Sequence, residues 1–246
     1  MTNAADEERR LLDSAPTAVR VFGLAAFVLA LVFGIVTWLV VAQADAIAEV
    51  DLDIDSMIHS AAVANRWMVD VSLGLQTIGG GVFSGTVVAV VVIALLWAGR
   101  LRRPFGARTY AAAFLALSAA GGAFLGTVVK SLVDRPRPPW NGLWSYEASS
   151  SYPSGHSQGG ITVWVALGLI VLVLVPGRLR WVISIPLLIL GPTIGVSRTV
   201  LGVHWPSDVL GGWSLGGAWT AATAVIIILI AADAARRRGD AADPSK

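Results

Sequence analysis

Three short segments contain the side chains whose types and spacing suit chemistry on an anionic substrate. They are residues 130–138 (KSLVDRPRP), residues 153–156 (PSGH) and residues 197–208 (SRTVLGVHWPSD). Together they carry two histidines, acidic residues and most of the cations that the charge pattern described below places outside the cytoplasm. Imidazoles transfer protons or attack as nucleophiles, and fixed cations stabilise charge that develops on oxygen atoms. The three segments therefore predict a site that acts on a phosphate group.

The third segment predicts a histidine that a neighbouring carboxylate orients for nucleophilic attack. Pro206 suits the first position of a helix, which places His204 just outside that helix and Asp208 in its first turn. A carboxylate four residues away can accept the Nδ1 proton of His204 and leave Nε2 as a directed lone pair. We therefore expect His204 to act as the nucleophile and Asp208 to orient it. His156, at another helix start, is expected to act as acid and then as base.

The second segment predicts a helix N-terminus that binds an anion. Pro153 and Ser154 read as the start of a helix with Ser154 as the N-cap residue. The backbone N–H groups of Gly155 and His156 would then be free to bind an anion, and the helix dipole would favour it. Gly155 would also allow the anion to approach the backbone closely.

The composition identifies a membrane protein. Of 246 residues, 55% are hydrophobic and only 14% are charged, and the mean hydropathy is +0.71. Most of the uncharged windows reach the ~20 residues that cross a bilayer as a helix. The sequence predicts an all-α membrane protein with six transmembrane helices in one bundle and short extracytoplasmic helices or loops. The windows are residues 21–43, 71–99, 109–129, 157–177, 181–197 and 209–232.

Two details of the bundle follow from particular residues. Pro186 and Pro192 make a kinked or partly re-entrant fifth helix an open alternative. Glycines four residues apart predict close helix packing in lipid. These pairs are Gly81 and Gly85, Gly122 and Gly126, Gly191 and Gly195, and Gly212 and Gly216.

Basic residues predict the orientation, because cytoplasmic loops retain Lys and Arg. With both termini in the cytoplasm, the site segments and Arg66 lie outside it. Residues 1–18 are then a polar cytoplasmic segment, 19–235 the six-helix domain and 236–246 a basic cytoplasmic tail. The cytoplasmic cations are Arg9, Arg10, Arg20, Arg100, Arg102, Arg103, Arg108, Arg178, Arg180, Arg236, Arg237, Arg238 and Lys246.

The first apolar window allows a second interpretation, a secretory signal, because Ala42-Gln43-Ala44 resembles a cleavage site with small residues at its first and third positions. We favour an uncleaved anchor, because the window is longer than the 7–15-residue core of a signal peptide. The acidic stretch that follows, residues 45–70, has apolar residues at helical spacing and predicts a helix on the outer membrane surface. Its aspartates read as a solvated acidic face rather than a calcium loop, since Ser56 and Ala62 replace the glycine and the glutamate that such a loop needs.

The three segments together resemble a known signature. The ordered pattern K-x6-RP, PSGH and SR-x5-H-x3-D resembles that of the type 2 phosphatidic acid phosphatase superfamily, and the six spans resemble its membrane-embedded lipid phosphatase branch. Every fixed position of the signature is matched, at Lys130, Arg137, Pro138, Pro153, Ser154, Gly155, His156, Ser197, Arg198, His204 and Asp208.

The resemblance implies a metal-independent phosphoric monoester hydrolase or diphosphatase without a cofactor, acting through a phosphohistidine. The implied substrates are lipid phosphates such as phosphatidic acid, phosphatidylglycerol phosphate or polyprenyl diphosphates. The implied place is the cell membrane, with the site facing outside and no nucleic-acid partner. The implied catalytic residues are His204, His156 and Asp208, and the implied phosphate-binding residues are Lys130, Arg137, Ser154, Gly155 and Arg198.

The sequence also suggests roles for Arg135 and for the loop of residues 139–152, which both lie near the signature. Arg135 lies outside the fixed positions, and we expect a surface arginine there, with contact to a second phosphate as the alternative. Residues 139–152 are too few for a cap domain and are expected to form a small lid with Trp140, Trp144 and Tyr146.

Two other functions remain open from the sequence. His156, His204 and Asp208 could form a two-histidine, one-carboxylate metal site, but the nearby cations would repel a divalent ion by ~1 to 4 kcal/mol per charge pair. A lipid-phosphate binding or transport protein without turnover is the second alternative. Transport pathways usually place ionisable groups near the middle of the bilayer, whereas the predicted spans contain few.

Overall fold

The computed structural model describes residues 4–100 and 106–242, and the side chains of 12–100 and 106–238. These residues form helices joined by turns and loops, and no strand occurs among them. The helices are α1 (Ala4–Val41), α2 (Asp45–Ala64), α3 (Arg66–Gly79), α4 (Gly81–Arg100), α5 (Ala107–Leu132), α6 (Gly155–Gly159), a π-helical turn (Gly160–Val165), α7 (Ala166–Leu174), α8 (Leu179–Val200) and α9 (Pro206–Ala242).

Six helical segments among the described residues are long and apolar enough to cross a membrane. The predicted all-α, six-span architecture is therefore confirmed, while the side on which the termini lie stays a prediction. Arg102, Arg103 and Lys246 lie outside the described residues, as do the side chains of Arg9 and Arg10. The candidate spans are Leu12–Val41, Gly81–Arg100, Ala107–Leu132, Gly155–Leu174, Leu179–Val200 and Pro206–Arg238.

The second span is shorter than its uncharged window. The window 71–99 breaks at Gly80, whose extended backbone (φ −63°, ψ 148°) ends α3 before α4 begins. The hydroxyl of Ser84 donates to the carbonyl of Ile78 at 3.0 Å and satisfies one of the acceptors that the break leaves free. Helices α2 and α3 therefore lie outside the six candidate spans.

The fifth span is one helix. Helix α8 continues from Leu179 through Pro186 and Pro192 to Val200. At the two predicted domain boundaries, α1 continues past residue 18 and α9 continues past residue 236.

The main core lies where α5, α7, α8 and α9 meet around the π-helical turn. Glycines allow the closest approach there, since a Cβ on Gly160 would lie 2.3 Å from the carbonyl oxygen of Gly191. Three of the four predicted glycine pairs lie at such contacts. The fourth, Gly81 and Gly85, does not, because a Cβ at either position meets nothing within 4 Å. These two glycines line a cavity instead.

Helices α2 and α3 support the loop that follows α8. Ala62 and Val69 pack against Val200, Leu201 and Val203 in a separate buried cluster. On the other side of the molecule α1 packs along α9. The segment that carries His204 is therefore held between the bundle and the two extra helices.

Candidate active site

The three motif segments meet at one end of the bundle. Lys130 Nζ, near the end of α5, donates to the carbonyl of Ser150 at 2.5 Å, and Arg137 Nη2 donates to the same carbonyl at 3.2 Å. Arg137 Nη1 donates to the Val203 carbonyl at 2.5 Å and lies 3.3 Å from His204 Nε2. Arg137 is thereby fixed beside the histidine of the third motif, and Lys130 shares a carbonyl partner with it.

His204 and Asp208 face each other as the four-residue spacing predicts. His204 Nδ1 lies 3.4 Å from Asp208 Oδ2, and both side chains are buried. Because a guanidinium only donates hydrogen bonds, the Arg137 contact makes His204 Nε2 the acceptor and leaves the imidazole proton on Nδ1. This is the tautomer that the nucleophile role requires, although the Nδ1 contact is longer than the usual hydrogen bond.

Burial keeps His204 neutral. Burial lowers the pKa of His204 to about 4, and the Asp208 carboxylate, which favours the charged form, only partly offsets this effect. At neutral pH the imidazole therefore carries an unprotonated nitrogen, as a nucleophile must.

The PSGH segment is tied to the same place. Ser154 caps the helix as predicted, since its hydroxyl oxygen accepts from the Ser157 amide at 3.4 Å and from the Ser157 hydroxyl at 2.8 Å. Its own amide donates to the Asp208 carbonyl at 3.1 Å. A Cβ on Gly155 would meet nothing within 4 Å, so the space beside this backbone is open. His156 lies within electrostatic range of Arg198 and His204.

Arg198 is fully buried, and residues that the sequence did not single out hold it. Arg198 Nη2 donates to Glu147 Oε1 at 2.9 Å, and Nη1 donates to Gln76 Oε1 at 2.5 Å. Ser145 Oγ donates to the same Gln76 oxygen at 2.8 Å. Gln76 belongs to α3, and no local pattern marks it. Glu147 could have been noticed as an acid in an otherwise cation-rich site.

The segment 139–152 covers the cations as an ordered loop. Asn141 Nδ2 donates to the Glu147 carbonyl and the Glu147 amide donates to Asn141 Oδ1, both at 3.1 Å. Trp140 stacks on His59 of α2 with ring centroids 3.9 Å apart, whereas Tyr146 is exposed. Trp140 is therefore a packed residue that connects this loop to α2.

The expectation of a surface arginine at 135 is wrong. The Arg135 side chain is only 13% exposed and forms ion pairs with Asp51 at 2.6 Å and Asp208 at 2.5 Å. The solvated acidic face predicted for α2 is wrong for Asp51 and Asp55, which are both buried, whereas Asp53 is exposed. The two carboxylates lie four residues apart on the face that α2 turns toward the bundle, which also carries Ala62.

A metal site is not formed by these groups. Among the described side chains, residues 12–100 and 106–238, no set of three His, Asp or Glu groups is arranged to hold a metal ion. The arrangement of His156, His204 and Asp208 that the sequence left open as a metal site is therefore not present.

A cavity of about 910 Å³ opens beside the site. Lys130, Gly155 and His156 lie at its polar end. From there it continues between α4 and α5 along small and apolar residues. These include Gly85, Val88, Ala89, Val92, Ala116, Ala119, Ala120 and Ala123.

Comparison with known proteins identifies the family. The family model of the PAP2 superfamily matches residues 111–230, which contain all three motifs. Phosphatidylglycerophosphatase B of Bacillus subtilis is 30% identical over 166 residues, which cover 66% of this chain and 77% of that protein. The chain belongs to the PAP2 superfamily. An undecaprenyl-diphosphatase of Sulfolobus acidocaldarius is 35% identical over 97 residues, or 37% of this chain and 43% of the relative.

A solved PAP2 structure has a similar fold. It is a transmembrane PAP2-type phosphatidylglycerolphosphate phosphatase from Bacillus subtilis, with a TM-score of 0.67 and 25% identity, covering 81% of this chain and 94% of that one. The resemblance found in the motifs is thus confirmed, and this PAP2 protein is a multi-pass membrane member of a phosphatase family. The roles of its individual site residues stay predictions.

Proposed function

We propose that this PAP2 protein hydrolyses lipid phosphate monoesters or diphosphates through a phosphohistidine on His204. Phosphatidic acid, phosphatidylglycerol phosphate and polyprenyl diphosphates are the candidate substrates. The observation that carries the lipid assignment is the cavity that begins at Lys130 and His156 and continues between α4 and α5. The names of the two curated relatives, both of which describe lipid phosphatases, support the same substrate class.

The cavity suits an amphiphile that lies in the membrane. Along α5 it extends from Ala116 to Lys130, which is about 20 Å of helix and much of the ~30 Å hydrocarbon core. A phosphate at the polar end would meet Lys130, while a chain attached to it would lie against alanine, glycine and valine. A water-soluble phosphate ester would leave this apolar space without a favourable occupant.

The proposed reaction has two steps at phosphorus. In the first, the His204 Nε2 lone pair forms a bond to phosphorus, the bond from phosphorus to the leaving oxygen breaks, and protonated His156 gives that oxygen its proton. In the second, neutral His156 takes a proton from water, the water oxygen attacks phosphorus, and the bond to His204 breaks. Asp208 stabilises the charge that His204 gains in the first step.

Cations would supply most of the remaining stabilisation. Lys130, Arg137 and Arg198 would neutralise the phosphoryl oxygens, together with Ser154 and the Gly155 amide. The protein would work in the cell membrane with this end of the bundle outside the cytoplasm. That orientation rests on the distribution of Lys and Arg in the sequence, in which most cations fall on the opposite side.

Turnover by purified protein tests the proposal. The detergent-solubilised protein is assayed for phosphate release from each candidate lipid in the presence of a chelator, with His204→Ala as the control. We expect chelator-resistant release that vanadate blocks and that His204→Ala loses. Binding of the same lipids without release would instead favour a binding or transport protein.

A groove variant tests the lipid assignment separately. Ala123→Phe fills the cavity and should raise KM for long-chain lipid phosphates by about tenfold while leaving a short-chain phosphate almost unaffected. Leu117→Phe adds a ring at an exposed position of the same helix and should change neither KM. Equal effects of Ala123→Phe on both substrates would contradict a chain-binding role for the cavity.

A further inference from the structure

Arg135 bridges two carboxylates that lie 157 positions apart in the chain, Asp51 in α2 and Asp208 in α9. Its Nη1 donates to Asp208 Oδ1 at 2.5 Å and to Ser207 Oγ at 2.7 Å. Its Nη2 donates to Asp51 Oδ2 at 2.6 Å. One planar guanidinium therefore fixes both acids through directed hydrogen bonds.

Asp51 also binds the first turn of α9. Asp51 Oδ1 accepts from the Ser207 amide at 2.8 Å, and Oδ2 accepts from the Ser207 hydroxyl at 2.5 Å. The Ser207 amide is one of the N–H groups that a helix start leaves without an internal partner. A carboxylate from α2 thus caps the helix that carries Asp208, and the charge is favourable at this helix end.

The two oxygens of Asp208 have different partners. Oδ1 accepts from Arg135, whereas Oδ2 accepts from the Trp205 amide at 2.9 Å and from the Ser151 hydroxyl, and faces His204 Nδ1. A carboxylate can rotate about its Cβ–Cγ bond unless each oxygen is held. Because Asp208 is fully buried, loss of the Arg135 contact would leave Oδ1 without its cation and the carboxylate plane held through Oδ2 alone.

We propose that Arg135 and Asp51 are positioning residues that hold the Asp208 carboxylate in the plane that presents Oδ2 to His204. This inference rests on the proposed function and extends it beyond the three signature motifs to α2. Burial lowers the pKa of Arg135, but the Asp208 and Asp51 carboxylates more than offset it, so that the pKa lies above its usual value. Two carboxylates, Asp51 and Asp208, already neutralise the charge of Arg135. Arg135 therefore differs from the cations that would bind phosphate.

The first test separates the rate of the chemical step from substrate binding. Arg135→Gln and Asp51→Asn should lower kcat by tenfold or more while KM changes by less than about twofold. Arg135→Lys keeps the charge but cannot bridge both acids, and should recover only part of kcat. Asp53→Asn is the matched control, because Asp53 lies on the same helix and is exposed. A rise in KM with kcat unchanged would overturn the proposal in favour of a substrate contact.

A double variant tests whether Arg135 acts through Asp208. If it does, Arg135→Gln should cost little further kcat in an Asp208→Asn background. Losses that multiply would mean that Arg135 acts independently of Asp208, and would overturn the proposal.

A titration of His204 gives a readout that does not need turnover. The chain has 3 histidines, so single His59→Gln and His156→Gln variants assign the imidazole resonances in detergent. Arg135→Gln removes the cation that holds Asp208 and should raise the pKa of His204, whereas Asp51→Asn, which leaves that cation in place, and Asp53→Asn should not raise it. An unchanged titration in Arg135→Gln would overturn the inference, while activity of the parent would leave the proposed function standing. If the parent released no phosphate, the proposed function would fail and the titration would still decide the role of Arg135.

Discussion

Glu147 Oε1 lies 2.9 Å from Arg198 Nη2, so a carboxylate of the covering loop pairs with a cation of the third motif. Arg198 is fully buried and Glu147 is about one third exposed. A bound phosphoryl group would bind the same Arg198 guanidinium that pairs with Glu147. The two anions should therefore compete for Arg198, and the loop would move as the substrate binds.

Removing the charge of Glu147 should tighten anion binding. We expect Glu147→Gln to lower the inhibition constant of vanadate by about three- to tenfold, equivalent to about 1 kcal/mol. Glu49→Gln removes the same charge from an exposed position on α2 and serves as the control. Weaker vanadate inhibition in Glu147→Gln would show that Glu147 supports Arg198 instead of competing with the substrate.

Asp55 should make stability depend on pH. Burial raises the pKa of Asp55 to about 6; the Trp140 indole lowers it in part and the Asp51 charge raises it further. Neither Asp55 oxygen has a partner in good hydrogen-bond geometry among the described residues. A carboxyl group whose folded-state pKa is raised stabilises the fold below its unfolded pKa of 3.8, and that contribution is lost as pH rises through about 6.

Asp55→Asn cannot ionise and should therefore remove the destabilisation that the parent suffers when Asp55 loses its proton. At pH 8 the variant should have a Tm higher than the parent by about 2 to 4 °C, the shift that ~1 kcal/mol produces in a chain of this size. Near pH 4.5 the difference should shrink. Thermal unfolding in detergent measures both, with Asp53→Asn as the exposed control. A lower Tm for Asp55→Asn at pH 8 would show that the ionised carboxylate stabilises the fold.

Adjacent glycines should respond differently to a methyl group. A Cβ on Gly160 would lie 2.3 Å from the Gly191 carbonyl, whereas a Cβ on Gly159 meets nothing within 4 Å. Gly160→Ala should therefore separate α8 from the π-helical turn and cost about 1 to 3 kcal/mol. Gly159→Ala should be neutral or stabilising, because alanine favours a helix. Equal Tm values for the two variants would contradict the close approach of these helices.

The sequence predicted the features that depend on local patterns. Uncharged windows predict membrane spans because a bilayer requires ~20 apolar residues in a row, and the spacing of His204 and Asp208 predicts their contact because a helix start fixes it. The start of the second span was misplaced by ten residues, since hydropathy does not detect the break at Gly80, where three consecutive glycines disfavour a continuous helix.

The sequence did not predict contacts between distant segments. Asp51 and Arg135 meet only because α2 packs against the start of α9, and nothing in the local spacing of either residue encodes that contact. One signal was present, because Asp51 and Asp55 share a helix face with Ala62. Burying an ionised carboxylate costs free energy unless a cation or hydrogen-bond donor pairs with it. Aspartates on the apolar face of α2 therefore indicated that partners for them lie in the interior.

Covalent labelling of His204 tests the central claim most directly. Protein is mixed with a substrate that carries radiolabelled phosphate, quenched in alkali and analysed for protein-bound label. We predict an acid-labile phosphohistidine in the parent, more of it in His156→Ala with a substrate whose leaving group needs no proton, and none in His204→Ala. Label that persists in His204→Ala, or full turnover by that variant, would contradict the account.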